Sequence, residues 1–272
     1  NGNYNDVSSN ATNVVIAAKA ITLKADDKSA TYTGSAVSVT NSFTLTGTLV
    51  GTDAISSATY TYSTANPTAA GTYTITPSVA VFSSGSSSNY LITYSTGTLT
   101  IGKGNLAQPN APNVTNTPGV LKSLNISWTA VTGASSYTIK VYDSSQVLKN
   151  TTTLASGTSK TILDTSNFLD DTAYTVTVTA IGDATYNDSI ASSSSVSGKT
   201  AKTYTISYGA NNATSGNTPS SFTYITGASA VTVSSNSGTL ARTGFTFAGW
   251  NTQADGNGTN YVAGTGTYNT AA

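Results

Sequence analysis

The 272-residue chain contains no cysteine, no histidine and no methionine. Its 11 acidic residues are all aspartate, so glutamate is missing as well. Without Cys and His the usual general bases, thiol nucleophiles and soft-metal ligands are gone. Disulfide staples are excluded too, so each folded part has to bury a core of its own. Charge is scarce: 11 basic residues face 11 acidic ones, for a formal net charge of zero. No basic patch is present to hold nucleic acid by counterion release. No apolar run reaches the length needed to cross a bilayer. An initiating Met and a signal peptide are also absent, and the chain reads as a mature or excised piece.

What is abundant is small and β-favouring. Thr (52) and Ser (39) make up a third of the chain. Helices favour Ala, Leu, Glu, Lys and Gln. Here Thr, Ser, Val, Tyr, Asn and Gly dominate, and these suit strands and turns. The composition predicts an all-β protein, and the length predicts two or three domains.

The most informative stretch is Leu124–Tyr142. Leu124, Ile126 and Trp128 alternate with polar residues, as do Tyr137, Ile139 and Val141. Period two with β-branched and aromatic residues marks half-buried strands. Val131 to Ser135 is the turn between them, and Trp128 and Tyr137 are expected to meet in the core. Trp128, Val131, Gly133 and Tyr137 resemble strands B and C of a fibronectin type III domain. Leu169, Thr172, Tyr174, Val176, Val178 and Ala180 resemble that family's strand F. The resemblance covers 104–201 and implies a sandwich in which the Tyr174 hydroxyl bonds back to loop backbone. Asp171 stands where the family has Pro. The following stretch, 185–199, is expected to be the F–G loop and strand G.

Residues 19–103 form another unit. Ile21/Leu23, Val37/Val39, Leu45 to Val50, Tyr60/Tyr62, Gly71 to Pro77, Tyr90 to Tyr94 and Gly97 to Ile101 read as short strands between turn residues, the pattern of a sandwich. The strings LTGTLVGTD, AGTYTITPS and SNYLITYSTGTLTIGK resemble the MBG repeats of bacterial surface proteins. That resemblance implies an extracellular spacer or adhesin module. A short linker with Pro109 and Pro112 follows, and the boundary is placed near Gly104.

In 202–272, Tyr204, Ile206 and Tyr208 alternate, and Val231/Val233 form a further strand. Gly244, Phe245, Phe247, Gly249 and Trp250 resemble the Listeria–Bacteroides repeat, also called the internalin B-repeat, a small β-grasp-like module. By that comparison the last domain lacks its final strand. Residues 1–18 resemble 185–199 and read as the last strand of a preceding Ig-like domain. The fold class expected is therefore all-β, with tandem Ig-like or fibronectin-like sandwiches followed by a β-grasp-like repeat.

Candidate chemistry is thin. Asp26/Asp27 and Asp170/Asp171 are sequence neighbours that point to opposite sides of a strand, so they read as turn or solvated residues. Asp183, Asn187 and Asp188 share a loop and carry hard oxygen ligands, but too few for a calcium site. Asp255 to Gly258 is a hairpin turn signal. An internal isopeptide bond at Lys24 or Lys140 would need a buried acid and an Asn partner on a matching strand; there is no Glu and no such Asn pattern, so both lysines read as solvated. Asn-x-Ser/Thr sequons occur at Asn10, Asn113, Asn125, Asn150, Asn187, Asn212 and Asn257. Phe245, Phe247 and Trp250 offer two readings, an aromatic binding face or core packing; the core is expected, because a part of ~70 residues needs its largest apolar groups inside. The threonine rows 72/74/76 and 175/177/179 lack the stacked coils of an ice-binding array. No catalytic, cofactor-binding or metal residue is assigned.

The resemblances imply a non-enzymatic structural or adhesive segment of an elongated, extracellular bacterial surface protein. Its partners would be further copies of itself or ligands on a host or cell surface, with no nucleic acid and no membrane span. Two other readings stand beside it. Strand 10–18 of one copy could complete 202–272 of the next, giving head-to-tail filaments by donor-strand complementation. Alternatively these are spacer modules of a secreted enzyme.

Overall fold

A computed structural model describes residues 16–269. The chain is all-β, with one 3-10 turn at Ser87–Asn89. It divides into two compact units, Asn1–Gly104 and Asn105–Ala272. The strand expected within 1–18, and with it the donor strand 10–18, lies mostly outside the described residues.

The first unit holds β1 (Lys19–Ala25), β2 (Lys28–Thr31), β3 (Phe43–Thr46), β4 (Ala54–Tyr62), β5 (Gly71–Ser84), β6 (Tyr90–Ser95) and β7 (Gly97–Gly102). Two sheets form, of order β3-β1-β6 and β2-β7-β5-β4. β1 and β6 pair in parallel, and so do β2 and β7. Two long segments thus run side by side, and both cross from one sheet to the other at the same level. Asp26-Asp27 is the corner of one, and Thr96 is the corner of the other. Asp27 Oδ1 accepts from the Thr98 amide, 2.8 Å. Asp26 accepts from the Ser42 and Thr44 hydroxyls at 2.6 and 2.7 Å. Those hydroxyls, Ser42 first, hold its carboxyl below the usual carboxylate range. Gly97 makes the crossing fit, since a Cβ there would meet Ala25 O at 2.4 Å.

The core between these sheets contains Ala25, Ile75, Leu99 and Ile101, with Tyr32, Tyr60, Tyr62 and Tyr73 packed against it. Val37 and Val39 also pack there, but from a loop, although their alternation predicts a strand. β5 runs well beyond Pro77, and its register against β4 shifts at three places. Val79 has a φ of +44° in this irregular stretch.

The second unit opens with β8 (Gly104–Asn105) at the division, then β9 (Asn113–Asn116), β10 (Ser123–Ser127), β11 (Ser136–Tyr142), β12 (Leu148–Leu154), β13 (Ser159–Leu163), β14 (Ala173–Ile181), β15 (Tyr186–Asn187) and β16 (Gly198–Lys199). Sheets β13-β10-β9 and β12-β11-β14-β16 face each other as a fibronectin-like sandwich of three and four strands. Leu124, Ile126, Ile139, Val141, Ile162, Phe168, Val176 and Val178 fill it. Trp128 and Tyr137 meet edge to face, 5.2 Å between ring centres. The Leu169 amide donates to Tyr174 Oη at 2.8 Å, which is the tyrosine corner. Leu169 itself is 63% exposed, contrary to its expected place in the strand F pattern. Phe168 is buried instead and packs on Tyr174, 4.7 Å between ring centres.

Strand G departs furthest from expectation. Only β16 is regular, and 188–197 runs beside β14 on a three-residue period. The Ser189, Ser192 and Ser195 amides donate to Ala180, Val178 and Val176 carbonyls. The same three hydroxyls accept from the Ala180, Val178 and Val176 amides, each at 2.9 Å. One serine therefore satisfies both backbone groups of a β14 residue. Ser189, Ser192 and Ser195 are buried, while Ser193 and Ser194 are exposed.

Two substitution pairs test these readings. Ser192→Ala strands the buried Val178 amide and should cost about 1–3 kcal/mol in denaturant unfolding. Ser194→Ala should stay within about 0.5 kcal/mol. Gly97→Ala should destabilise the first unit by about 1–3 kcal/mol through overpacking at the corner. Gly102→Ala, whose Cβ would meet nothing nearer than 3.7 Å, is its neutral control.

Candidate binding cleft

The rest of the second unit contains β17 (Thr203–Ile206), β18 (Phe222–Ile225), β19 (Val231–Thr232), β20 (Trp250–Asn251), β21 (Asn260–Tyr261) and β22 (Thr267–Tyr268). They pair as three two-stranded ribbons, β17-β18, β19-β22 and β20-β21. Tyr224 and Val233 are buried at their centre, and Tyr268 meets Tyr224 edge to face at 5.6 Å. Thin ribbons enclose little volume, and part of the aromatic content stays outside.

A cleft of about 660 Å³ opens among Tyr208, Arg242, Phe245, Phe247, Trp250 and Gln253. Gly249, at φ +136°, lets β20 approach β21 so closely that a Cβ would sit 2.6 Å from Tyr261 O. That approach sets the position of Trp250. Its indole Nε1 donates to Ser234 O at 2.7 Å, and Tyr208 packs on its ring at 4.4 Å. Phe247 meets Trp250 edge to face at 5.2 Å. Arg242 to Phe245 is a β-turn closed by the Phe245 amide on Arg242 O, with Gly244 at φ +81° in its third position. The turn lays the Arg242 guanidinium over the Phe245 ring, 4.2 Å from its centre.

The expectation of core packing fails for two of the three aromatics. Phe245 is 67% exposed and Phe247 38%, while Trp250 is half-buried. The tyrosines of the ribbons supply the core, leaving the two phenylalanines at the cleft mouth. No motif in the sequence marks Arg242 as a site residue. Its signal is present in the composition, because it is the only arginine beside ten lysines.

The acidic candidates resolve into structural roles. Asp183 Oδ1 accepts from the Thr185 and Tyr186 amides, and Asp188 Oδ1 accepts from the Gly182 amide. Asn187 donates to Asn105 Oδ1 at 3.0 Å. Among the described residues no cluster of three or more acidic side chains could hold a metal ion. Asp255 accepts from the Asn257 amide and side chain within the β20–β21 turn. Lys24 and Lys140 are exposed. Thr72, Thr74 and Thr76 are exposed, and Thr175, Thr177 and Thr179 are half-buried. Among the described residues no helix is long and apolar enough to cross a membrane.

Asp171 has a role that the sequence did not disclose. It sits at φ +52°, which a proline ring cannot adopt. Its carboxylate pairs with Lys199 at 2.6 Å and Lys202 at 3.5 Å. Nearby, the Thr172 amide donates to Thr200 Oγ1, which donates to Leu169 O. The Thr226 amide donates to Lys202 O, the Lys202 amide donates to Thr226 Oγ1, and the Gly119 amide donates to Thr226 O. This corner joins the sandwich to the ribbons.

Comparison with known proteins finds likenesses to parts of the chain. Residues 21–100 match the family described as "MBG domain (YGX type)". No curated protein matches. Among solved structures, the chain is similar to the FN1-FN3 domains of chicken CNTN1 at 12% identity and a TM-score of 0.31, over 48% of this chain and 42% of that one. It is also similar to the structure titled "Structure of FN3tt mut" at 20% identity and a TM-score of 0.26, over 34% of this chain and 93% of that one. A third is the BSP domain of a biofilm associated protein, at 23% identity and a TM-score of 0.23, over 50% of this chain and 20% of that one. The strand order described above stands without them.

Lys199 and Lys202 hold the Asp171 carboxyl below the usual carboxylate range. A depressed folded pKa contributes stability that is present above about pH 4 and lost as pH falls through the folded value. Acid unfolding of the second unit should therefore be shallower in Asp171→Asn than in the parent below about pH 4. Asp171→Pro should destabilise at every pH, because both the turn and the amide bond to Ala201 O are lost.

Proposed function

We propose that the chain is a non-enzymatic structural and adhesive segment of an elongated bacterial cell-surface or extracellular fibre protein. The observation that carries this reading is the MBG match over 21–100, followed in the same chain by a fibronectin-like sandwich. Repeated β-modules that each bury their own core make a spacer with no need of disulfides. In this reading the modules are 19–103, 104–201 and 202–272, after a strand within 1–18 that belongs to a preceding module. The likeness of 240–251 to the Listeria–Bacteroides repeat belongs to the same proposal. The chemistry of the side chains supports it: the candidate carboxylates are engaged by backbone amides and hydroxyls rather than poised as pairs.

Small-angle scattering tests the shape. A compact globule of this length has a radius of gyration of about 19 Å. The proposal expects a value well above that, with a long tail in the distance distribution. A compact particle, or a hydrolytic activity residing in this segment, would overturn it.

A further inference from the structure

We propose that the cleft around Arg242, Phe245 and Trp250 binds an acidic saccharide, a sugar unit carrying a carboxylate. The proposal deepens the adhesive half of the reading above and rests on it.

Four observations converge. First, Phe245 and Phe247 are 67% and 38% exposed beside a cleft, although the chain has only six phenylalanines. Exposed aromatic faces that rim a concavity mark binding sites more often than scattered surface residues do. Second, the only arginine of the chain sits over one of those faces, its guanidinium carbon 4.2 Å from the ring centre. Among the described residues the ion pairs involve lysines, and none engages Arg242. The contact with the ring holds the guanidinium at the cleft, and its N–H donors suit a carboxylate received in two parallel hydrogen bonds. Asp255, the one acidic residue lining the cleft, is occupied by Asn257. Third, the platform is rigid. Trp250 is tied to Ser234 O, and Tyr208 Oη accepts from the Ser234 amide at 2.6 Å. A pre-ordered site loses little freedom on binding. Fourth, the volume of about 660 Å³ falls in the range of small-ligand sites.

A sugar ring matches this set. One face of the ring is a patch of C–H groups that lies on an aromatic plane, and its rim of hydroxyls suits planar amides such as Gln253 at the cleft wall. The carboxylate answers Arg242. An aliphatic ligand would leave the guanidinium unpaired, and a plain inorganic anion would make no use of the phenylalanines.

The test uses the intact chain and its tryptophan emission. Of its two tryptophans, Trp128 is 8% exposed in the sandwich core and gives a constant background, so changes report Trp250. Tetragalacturonate is titrated in low salt, with maltotetraose as the neutral sugar and tetra-aspartate as the acidic peptide. The expected result is a saturable change with tetragalacturonate, at least about tenfold tighter than with maltotetraose. Arg242→Gln should abolish that preference, and Phe245→Ala should weaken both sugars about tenfold. Both side chains are exposed, and unchanged thermal unfolding confirms that the variants fold. Absence of any saturable change up to millimolar sugar would overturn the proposal. So would equal binding of the neutral sugar, tighter binding of tetra-aspartate, or binding that ignores both substitutions. An elongated scattering profile with no sugar binding would leave the structural reading standing and remove this one alone.

Discussion

Loop amides that leave a strand near a core need acceptors, and in this chain tyrosine hydroxyls supply them. Tyr90 Oη accepts from Val50, Tyr137 from Val131, Tyr174 from Leu169 and Tyr208 from Ser234, all within 2.6–2.8 Å. Each ring packs in or beside a core while its hydroxyl pins a turn. A tyrosine is suited to this because its apolar body and polar tip are held rigidly apart. In a chain without cysteine these bonds tie turns to the cores without covalent staples. Tyr90 shows the linkage most clearly. It accepts from the Val50 amide, donates to Asp53 at 2.7 Å and stacks on Phe82 at 5.4 Å.

Serine performs the complementary task along β14. An ordinary partner strand would offer one amide and one carbonyl for every second residue. The Ser189, Ser192 and Ser195 track instead covers each β14 step with three residues, using a hydroxyl for the acceptor and an amide for the donor. Chain length is consumed faster, and the intervening residues Ile190, Ser193 and Val196 face outward. The exposure of Val196 and Ile190, 90% and 71%, follows directly from that period.

Much of the sandwich was legible because its determinants are local. Alternation in 124–128, 137–141 and 174–180 follows the pleat, and Trp128, Tyr137 and Tyr174 stand at strand ends where turns need them. The serine track was not legible, since a Ser-rich string has neither apolar alternation nor a turn residue to announce a ladder. The parallel pairing of β1 with β6 was hidden for another reason. It joins residues about seventy positions apart, and only the corner residues Asp27 and Gly97 hint at it. Val37 and Val39, read as a strand, pack against the core from a loop, because alternation reports burial rather than hydrogen bonding.

The cleft shows where a rule about core size breaks down. Burying the largest apolar groups is the right expectation when a part has two opposed sheets. The ribbons of 203–268 have no second sheet, so the tyrosine cluster around Tyr224 closes what volume there is. Phe245 and Phe247 then remain outside with no apolar layer to receive them. Arg242 covers part of Phe245 with a group that water hydrates weakly, which lowers the cost of exposure. A formal net charge of zero gives no overall field of one sign to draw an anion toward the cleft. Whatever this surface holds must be gripped at contact distance, by stacking and by one oriented guanidinium. That is why the single arginine matters more here than its one unit of charge implies.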